Sequence, residues 1–405
     1  LTTKDLNSLR NYCVLPFNSV SISANGEIRH CCNGGHGLTD TFFVQDVDVD
    51  GLINNPFIHD IRESFLKDER HPKCTRCWDM EDMGVMSFRE VSNKHKNYNI
   101  NTTGVRTFKK ELDFEDIEYI DLTLGNKCNL ACRMCTPTSS SLLAKQEKAM
   151  GLYHGDIDID HSDDNKEKIL ELFRRAKNLK NIYMLGGEPL INPMHFEILD
   201  LLIESGQSKN IEIFFNTNLQ VNKVSDYYDR WEKFHRVRIQ ASIDGSGDCY
   251  EYIRYPGKWD KLYRNYQELS KIIDNEKFFF SISPVLQNIN AHNMYDLVNE
   301  MRYTNDKETG FFFIPISGPN QLNLLPKRVL ERAMNDMYKL PDTRAIPRTD
   351  VLRQLSAAHK KEINPDELKH FFNITKAYDK FRKQNLFEMA PHFEELADEY
   401  GIQKW

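Results

Sequence analysis

Between residues 117 and 316 the chain alternates short apolar runs with longer amphipathic ones. The short runs are rich in β-branched and aromatic residues: Ile117–Leu124, Ile182–Leu185, Ile211–Phe215, Val237–Ile243, Phe278–Ser283 and Phe311–Ile316. They read as strands, and the stretches near 193–205, 222–233, 258–274 and 290–303 carry helical spacing between them. Strand–helix alternation predicts a parallel sheet. Six repeats are too few for an ordinary eight-stranded barrel, so the expected fold is α/β, a partial (β/α)6 barrel with ligands gathered at the C-terminal strand ends. Ahead of it, the alternation in Ser19-Val-Ser-Ile-Ser, the turn at Ala24-Asn-Gly26 and the run Glu27-Ile-Arg-His predict a β-hairpin. Helix starts with Pro in the first turn stand at Pro365 and Pro391. The expected division is a small N-terminal module over 1–95, a polar linker over 96–115, the barrel over 116–318 and a helical C-terminal extension over 319–405.

The 405 residues carry a net charge of −7, with 40% hydrophobic and 28% charged residues, the balance of a globular chain. No basic stripe marks a nucleic-acid partner, and no run of about 18 apolar residues marks a membrane span. The polar start Leu1-Thr-Thr-Lys-Asp reads as a trimmed end and not as a signal peptide. The nine cysteines are odd in number and fall in short-spaced groups, which argues against a disulfide framework. Reduced thiols place the chain in the cytoplasm.

The strongest chemical signal follows the first barrel strand. Cys128, Cys132 and Cys135 form a CxxxCxxC loop. Three thiolates so close together need a soft metal partner. Zinc wants a fourth ligand, and the nearest, His154, lies in a polar segment. Three ligands suit a [4Fe–4S] cluster with one iron open. A second group comprises Cys13, the pair Cys31-Cys32, and Cys74-Thr-Arg-Cys77; the hairpin brings the first two near one another. From spacing alone a zinc ribbon and an iron–sulfur cluster both remain open there. At later strand ends stand Gly186-Gly-Glu-Pro189, Asn216-Thr-Asn218 and Ser242-Ile-Asp244, then Cys249 and Arg254. The two glycines allow close backbone approach, and Glu188 can accept from an ammonium group.

Taken in order, the three-Cys loop, the Gly-Gly-Glu-Pro turn and the barrel rhythm resemble the radical S-adenosylmethionine (SAM) superfamily. The resemblance implies that the open iron binds the amino and carboxylate groups of SAM. It implies too that an electron cleaves SAM to methionine and a 5′-deoxyadenosyl radical, which takes hydrogen from a substrate. Gly186, Gly187, Glu188 and Pro189 would hold the methionyl amino group. Asn216 and Thr217 match the TNG-like turn, with Asn218 where Gly is usual. Ser242 and Asp244 would reach the ribose, and Arg254 the SAM carboxylate. Met134 stands where an aromatic residue usually packs near adenine.

The N-terminal cysteines resemble the auxiliary module called SPASM, or its shorter twitch form, although here they precede the barrel. The resemblance implies one auxiliary [4Fe–4S] cluster on Cys13, Cys31, Cys74 and Cys77, with Cys32 as the alternative to Cys31. It further implies an external one-electron reductant such as flavodoxin or ferredoxin. The substrate would be a peptide or protein side chain, or else a small sugar or alcohol. Cys249 is a candidate hydrogen donor to a substrate radical. The competing class is a zinc-stabilised binding scaffold without catalysis. The aromatic stripe of the C-terminal extension reads as packing and carries no expected chemistry.

Overall fold

The computed structural model describes residues 9–34, 41–84, 86–94, 109–161, 164–274, 276–304 and 306–405. Most of the linker expected over 96–115 lies outside the described residues. The chain forms two compact units, one of Leu1–Lys127, Asp158–Phe215 and Tyr227–Val237, the other of Cys128–Ile157, Asn216–Asp226 and Arg238–Trp405.

In the first unit the strands are β1 (Ser19–Ile22), β2 (Glu27–Arg29), β3 (Phe42–Phe43), β4 (Tyr119–Thr123), β5 (Asn181–Leu185) and most of β6 (Glu212–Thr217), in the order β3-β2-β1-β4-β5-β6. The expected hairpin is β1–β2, with Ser21 opposite Arg29 and Gly26 at φ +82° in the turn. Its other edge is the surprise. β1 runs parallel to β4, Ser19 opposite Tyr119, so a strand of the expected N-terminal module is hydrogen-bonded into the parallel sheet. All four β1 residues are buried, and a strand covered on both faces needs neighbours on both edges.

Helix Pro56–Leu66 starts at Asn55, whose side chain accepts from the Ile58 N–H at 3.0 Å, with Pro56 in the first turn. Its apolar face, Phe57, Ile58, Ile61 and Phe65, packs with Cys13, Val14, Trp78 and Tyr119. On the same helix Arg62 is fully buried. It donates to the carbonyls of Pro16 at 2.6 Å, Ile53 at 2.8 Å and Lys110 at 3.0 Å, and to Asn54 Oδ1 at 3.0 Å. Arg62→Ala strands those acceptors. A loss of about 3 kcal/mol is expected, read as a lower urea midpoint at unchanged slope; an unshifted midpoint would show the acceptors finding water instead.

In the second unit lie most of β7 (Arg236–Ala241), β8 (Phe278–Ile282) and the two-residue strand Gly310–Phe311, parallel to β8 with Gly310 opposite Ser281. All six expected barrel strands are thus present in order, alternating with helices, and the fold is mixed α/β with a parallel sheet. Two elements are shorter than their patterns. The last strand stops at Phe311, and Ile314–Pro315 pairs with Val285–Leu286 instead. The helix expected over 222–233 is a 3-10 turn, Val224–Tyr227, followed by one α-turn, Tyr228–Trp231, because Ser225 and Asp226 are poor helix formers. The C-terminal extension is helical as expected, with helices Lys327–Met337, Arg348–His359, Pro365–Arg382 and His392–Glu399. Among the described residues no helix is long and apolar enough to cross a membrane.

Candidate functional site

In the second unit the cysteine loop is held by backbone bonds. The Ala131 N–H donates to the Tyr255 carbonyl at 2.6 Å and the Arg133 N–H to Ile253 at 2.9 Å. Ser140 Oγ donates to the Leu130 carbonyl at 2.5 Å and caps helix Ser141–Ala149. Burial pushes the thiols of Cys132 and Cys135 upward, with the Arg254 charge pulling against it. Such thiols stay protonated unless a metal group supplies positive charge. Their surroundings already suit that state. Arg254 Nη1 lies 3.7 Å from Cys132 Sγ, Asn218 Nδ2 lies 3.9 Å from Cys128 Sγ, and the Leu130 N–H points at Cys128 Sγ from 3.5 Å. Three sulfurs with N–H donors turned toward two of them form a donor set that fits a [4Fe–4S] cluster.

The same region shows what two of the expected SAM residues touch. Asp244, expected at the ribose, is fully buried. It accepts from Arg254 Nε at 2.6 Å on one oxygen and from the Val285 N–H at 2.7 Å on the other. Arg254, expected at the SAM carboxylate, is committed to Asp244 and turned to a cysteine sulfur. A buried carboxylate needs a close cation, and Arg254 is the one among the described residues. Burial lowers the Arg254 pKa, but the Asp244 charge outweighs it and holds the guanidinium protonated.

The turn after β6 differs in detail too. Its left-handed residue is Leu219, at φ +55°, one position past Asn218. Thr217 Oγ1 accepts from the Leu219 N–H at 3.1 Å, and Asn218 donates to Asn129 Oδ1 at 2.8 Å, inside the cysteine loop. The Ser242 N–H is spent on the Thr217 carbonyl at 2.8 Å. Asn216, Ser242 and Met134 are half-buried. Cys249 is 5% exposed on helix Gly247–Ile253, and its thiol faces the Ile289 carbonyl at 3.9 Å.

In the first unit, Gly186 and Gly187 take φ +101° and +48°. A Cβ on Gly187 would sit 1.9 Å from the Lys127 carbonyl oxygen, and one on Gly186 would sit 2.6 Å from the Gly125 oxygen. The turn after β5 is therefore pressed against the backbone that leads into Cys128. The Glu188 N–H donates to the Lys127 carbonyl at 2.8 Å, and Glu188 Oε1 accepts from the Leu190 N–H at 3.2 Å. Pro189 opens the short 3-10 turn that follows. Asn126 is pinned on its other side by Ile159, whose carbonyl accepts the Asn126 N–H at 2.8 Å. Gly187→Ala combines a clash with backbone and a disfavoured φ. The expected result is loss of SAM binding in equilibrium dialysis with the chain still folded; unchanged binding would mean that this turn has no part in the site.

The N-terminal cysteines also converge. Cys13, Cys31, Cys74 and Cys77 line one pocket, joined by His30 and Arg89. Burial drives the thiols of Cys13, Cys31 and Cys74 upward. Cys32 is not among the lining residues; its thiol is pushed up to about 12, by burial first and by the Asp121 charge second. The pocket thus takes Cys31 of the adjacent pair. His30 was not among the sequence candidates, although it directly precedes Cys31. Among the described residues no three His, Cys, Asp or Glu side chains are gathered tightly enough to hold a single metal ion. A four-iron cluster spreads its ligands over four irons. Four cysteines around one pocket fit the cluster.

Comparison with known proteins places this geometry in context. Residues 122–301 match the Radical SAM superfamily. The GTP 3′,8-cyclase of Clostridium perfringens (strain SM101 / Type A) is 24% identical over 239 residues, 57% of this chain and 66% of that protein. The radical SAM cyclopropyl synthase TigE of Paramaledivibacter caminithermalis is 28% identical over 144 residues, 34% of this chain and 29% of that one. Among solved structures, Streptococcus suis SuiB bound to S-adenosylmethionine is similar at TM-score 0.35 and 15% identity, covering 67% of this chain and 52% of SuiB. Native anSMEcpe with bound AdoMet and the Cp18Cys peptide is similar at TM-score 0.37 and 17% identity, over 55% of this chain and 60% of that one. The match thus spans less than two thirds of these relatives' lengths.

Proposed function

With a Radical SAM domain identified over residues 122–301, we propose that the chain reductively cleaves SAM and abstracts hydrogen from a substrate. When bound, a [4Fe–4S] cluster and SAM supply the electron and the 5′-deoxyadenosyl radical for this chemistry. The protein's part is to hold, orient and shield. Cys128, Cys132 and Cys135 take the role of cluster ligands, and no fourth Cys or His stands within fifteen residues after Cys135. Arg254 and Asn218 stabilise the charge on two of the sulfurs. Glu188 takes the methionyl amino group, in a turn whose glycines allow the backbone to close on the Lys127 carbonyl. Asn216, Thr217 and Ser242 serve the nucleoside, and Met134 covers the adenine face. The observation that carries the reading is the pair of N–H donors directed at the sulfurs of the CxxxCxxC loop.

The N-terminal pocket holds a second, auxiliary [4Fe–4S] cluster of the SPASM or twitch type on Cys13, Cys31, Cys74 and Cys77. Full Cys ligation leaves it unable to bind SAM, so it moves electrons or braces the fold. An electron-accepting centre supports net oxidation or cross-linking, and with it a peptide or protein side chain as substrate; a small sugar or alcohol is the alternative. The electron entering the enzyme comes from flavodoxin or ferredoxin in the cytoplasm.

Anaerobic reconstitution tests the whole reading. The protein should turn brown, bind about eight irons per chain and release 5′-deoxyadenosine from SAM with a chemical reductant. Colourless protein with stoichiometric zinc and no cleavage would instead support the binding scaffold. The substrate class is read by mass spectrometry of candidate peptides and metabolites after turnover, with deuterium followed into 5′-deoxyadenosine.

A further inference from the structure

The pocket around the N-terminal cysteines contains a side chain that four cysteine ligands do not account for. His30 is 3% exposed, and its Nε2 stands 3.4 Å from Cys74 Sγ. The ring is fixed from two sides. Phe57 packs on it edge-on, at 5.9 Å between centroids and 63° between planes. Gly34 lies against its other side, so close that a Cβ there would fall 2.4 Å from Cε1. Gly34 is itself tied back to the Cys31 carbonyl by its N–H at 3.2 Å. The other ring nitrogen, Nδ1, is buried and makes no hydrogen bond among the described residues. The ring is thus clamped with one nitrogen on a cysteine sulfur, and the tautomer protonated at Nε2 can donate to it.

We propose that His30 is a positioning residue of the N-terminal cysteine centre, donating its Nε2–H to Cys74 Sγ and so raising the reduction potential of the cluster held there. This rests on the reading of that centre as an iron–sulfur cluster. The physical reason is charge. A reduced cluster carries one more negative charge, part of it on the cysteine sulfurs, and an N–H directed at a sulfur stabilises the reduced form more than the oxidised one. In a buried pocket that preference is little screened. A ring that merely filled space would leave the potential where it is.

The test uses the full chain with Cys128, Cys132 and Cys135 replaced by Ala, so that the N-terminal cluster alone gives a signal. In that background His30→Phe keeps an aromatic ring against Phe57 and removes the donor, while His30→Gln restores an N–H. A redox titration followed by electron paramagnetic resonance should shift negative in His30→Phe. The expected fall in the reduced-to-oxidised ratio at fixed potential is about tenfold, ~59 mV for one electron. His30→Gln should recover part of it. An unchanged midpoint in His30→Phe at full iron content overturns the proposal. Loss of iron from both variants also overturns it, since His30 would then be a ligand or a structural prop. A parent background that binds zinc, or no metal, overturns the cluster reading itself and is told apart because it appears before His30 is touched.

Discussion

Replacing Cys128, Cys132 and Cys135 together by Ala should end 5′-deoxyadenosine formation and halve the iron, from about eight to about four per chain, while the chain stays folded. The fold should survive because the loop's anchors are backbone groups. Ala131 and Arg133 donate to the carbonyls of Tyr255 and Ile253, and Leu130 accepts from Ser140; none of these bonds uses a thiol. Burial disfavours the charged form of the Cys132 and Cys135 thiols, so removing them without metal should change a thermal melt of apo-protein little. The converse pair, Cys74→Ala with Cys77→Ala, should also lose about half the iron but keep SAM cleavage in the absence of substrate. Both halves are measured by iron assay and chromatographic detection of 5′-deoxyadenosine. A triple variant that still cleaves SAM, or keeps all its iron, would remove the CxxxCxxC loop from the chemistry.

The strands carrying the site were legible because each is a short run of β-branched and aromatic residues with a helix pattern behind it, as at Ile211–Phe215 and Phe278–Ser283. The hairpin at residues 19–29 was legible for the same local reason, alternation on either side of Asn25-Gly26. Its parallel pairing with β4 was not, since Ser19 and Tyr119 stand a hundred positions apart and nothing local encodes such a register. Side-chain direction was the other blind spot. A motif places Arg254 near the cysteine loop, but whether its guanidinium meets a ligand, Asp244 or Cys132 Sγ depends on which buried carboxylate lies closest. Cys31 and Cys32 were inseparable by spacing; in the fold Cys31 lines the pocket, and the Cys32 thiol feels the Asp121 charge from β4. His30 had a visible signal, its place beside Cys31, but a lone histidine after a strand is more often packing than chemistry. The C-terminal extension, expected to carry no chemistry, supplies a buried partner to the cysteine loop across 246 positions.

That partner is Asp379, and Asp379→Ala should be among the most damaging single substitutions in the second unit. Its fully buried carboxylate accepts from Arg133 Nη2 at 2.5 Å, Tyr252 Oη at 2.9 Å, the Leu386 N–H at 2.7 Å and Trp405 Nε1 at 3.1 Å. Arg133 sits between Cys132 and Met134. It also donates to the Tyr252 carbonyl and to Gln384 Oε1, each at 3.0 Å, and its guanidinium stacks 3.7 Å from the centre of the Tyr252 ring. One turn along the same helix, Arg382 donates to the Ala131 carbonyl at 2.8 Å. Two residues of the cysteine loop are thus tied to the end of helix Pro365–Arg382. Asp379→Ala leaves the Arg133 charge buried without a counter-ion, which costs about 3–5 kcal/mol. Asp379→Asn keeps the shape and part of the hydrogen bonding, so its loss should be smaller. Replacing both partners, Arg133→Met with Asp379→Leu, should be milder than Asp379→Ala alone, because the double change leaves no stranded charge. The iron count separates stability from positioning. If the tie shapes the loop, Asp379→Ala should lose iron from the three-Cys centre at temperatures where circular dichroism shows the chain folded, and keep iron at Cys13, Cys31, Cys74 and Cys77. Equal losses from both centres would mean general unfolding, and an unshifted denaturation midpoint would mean that the loop holds its shape without the helix.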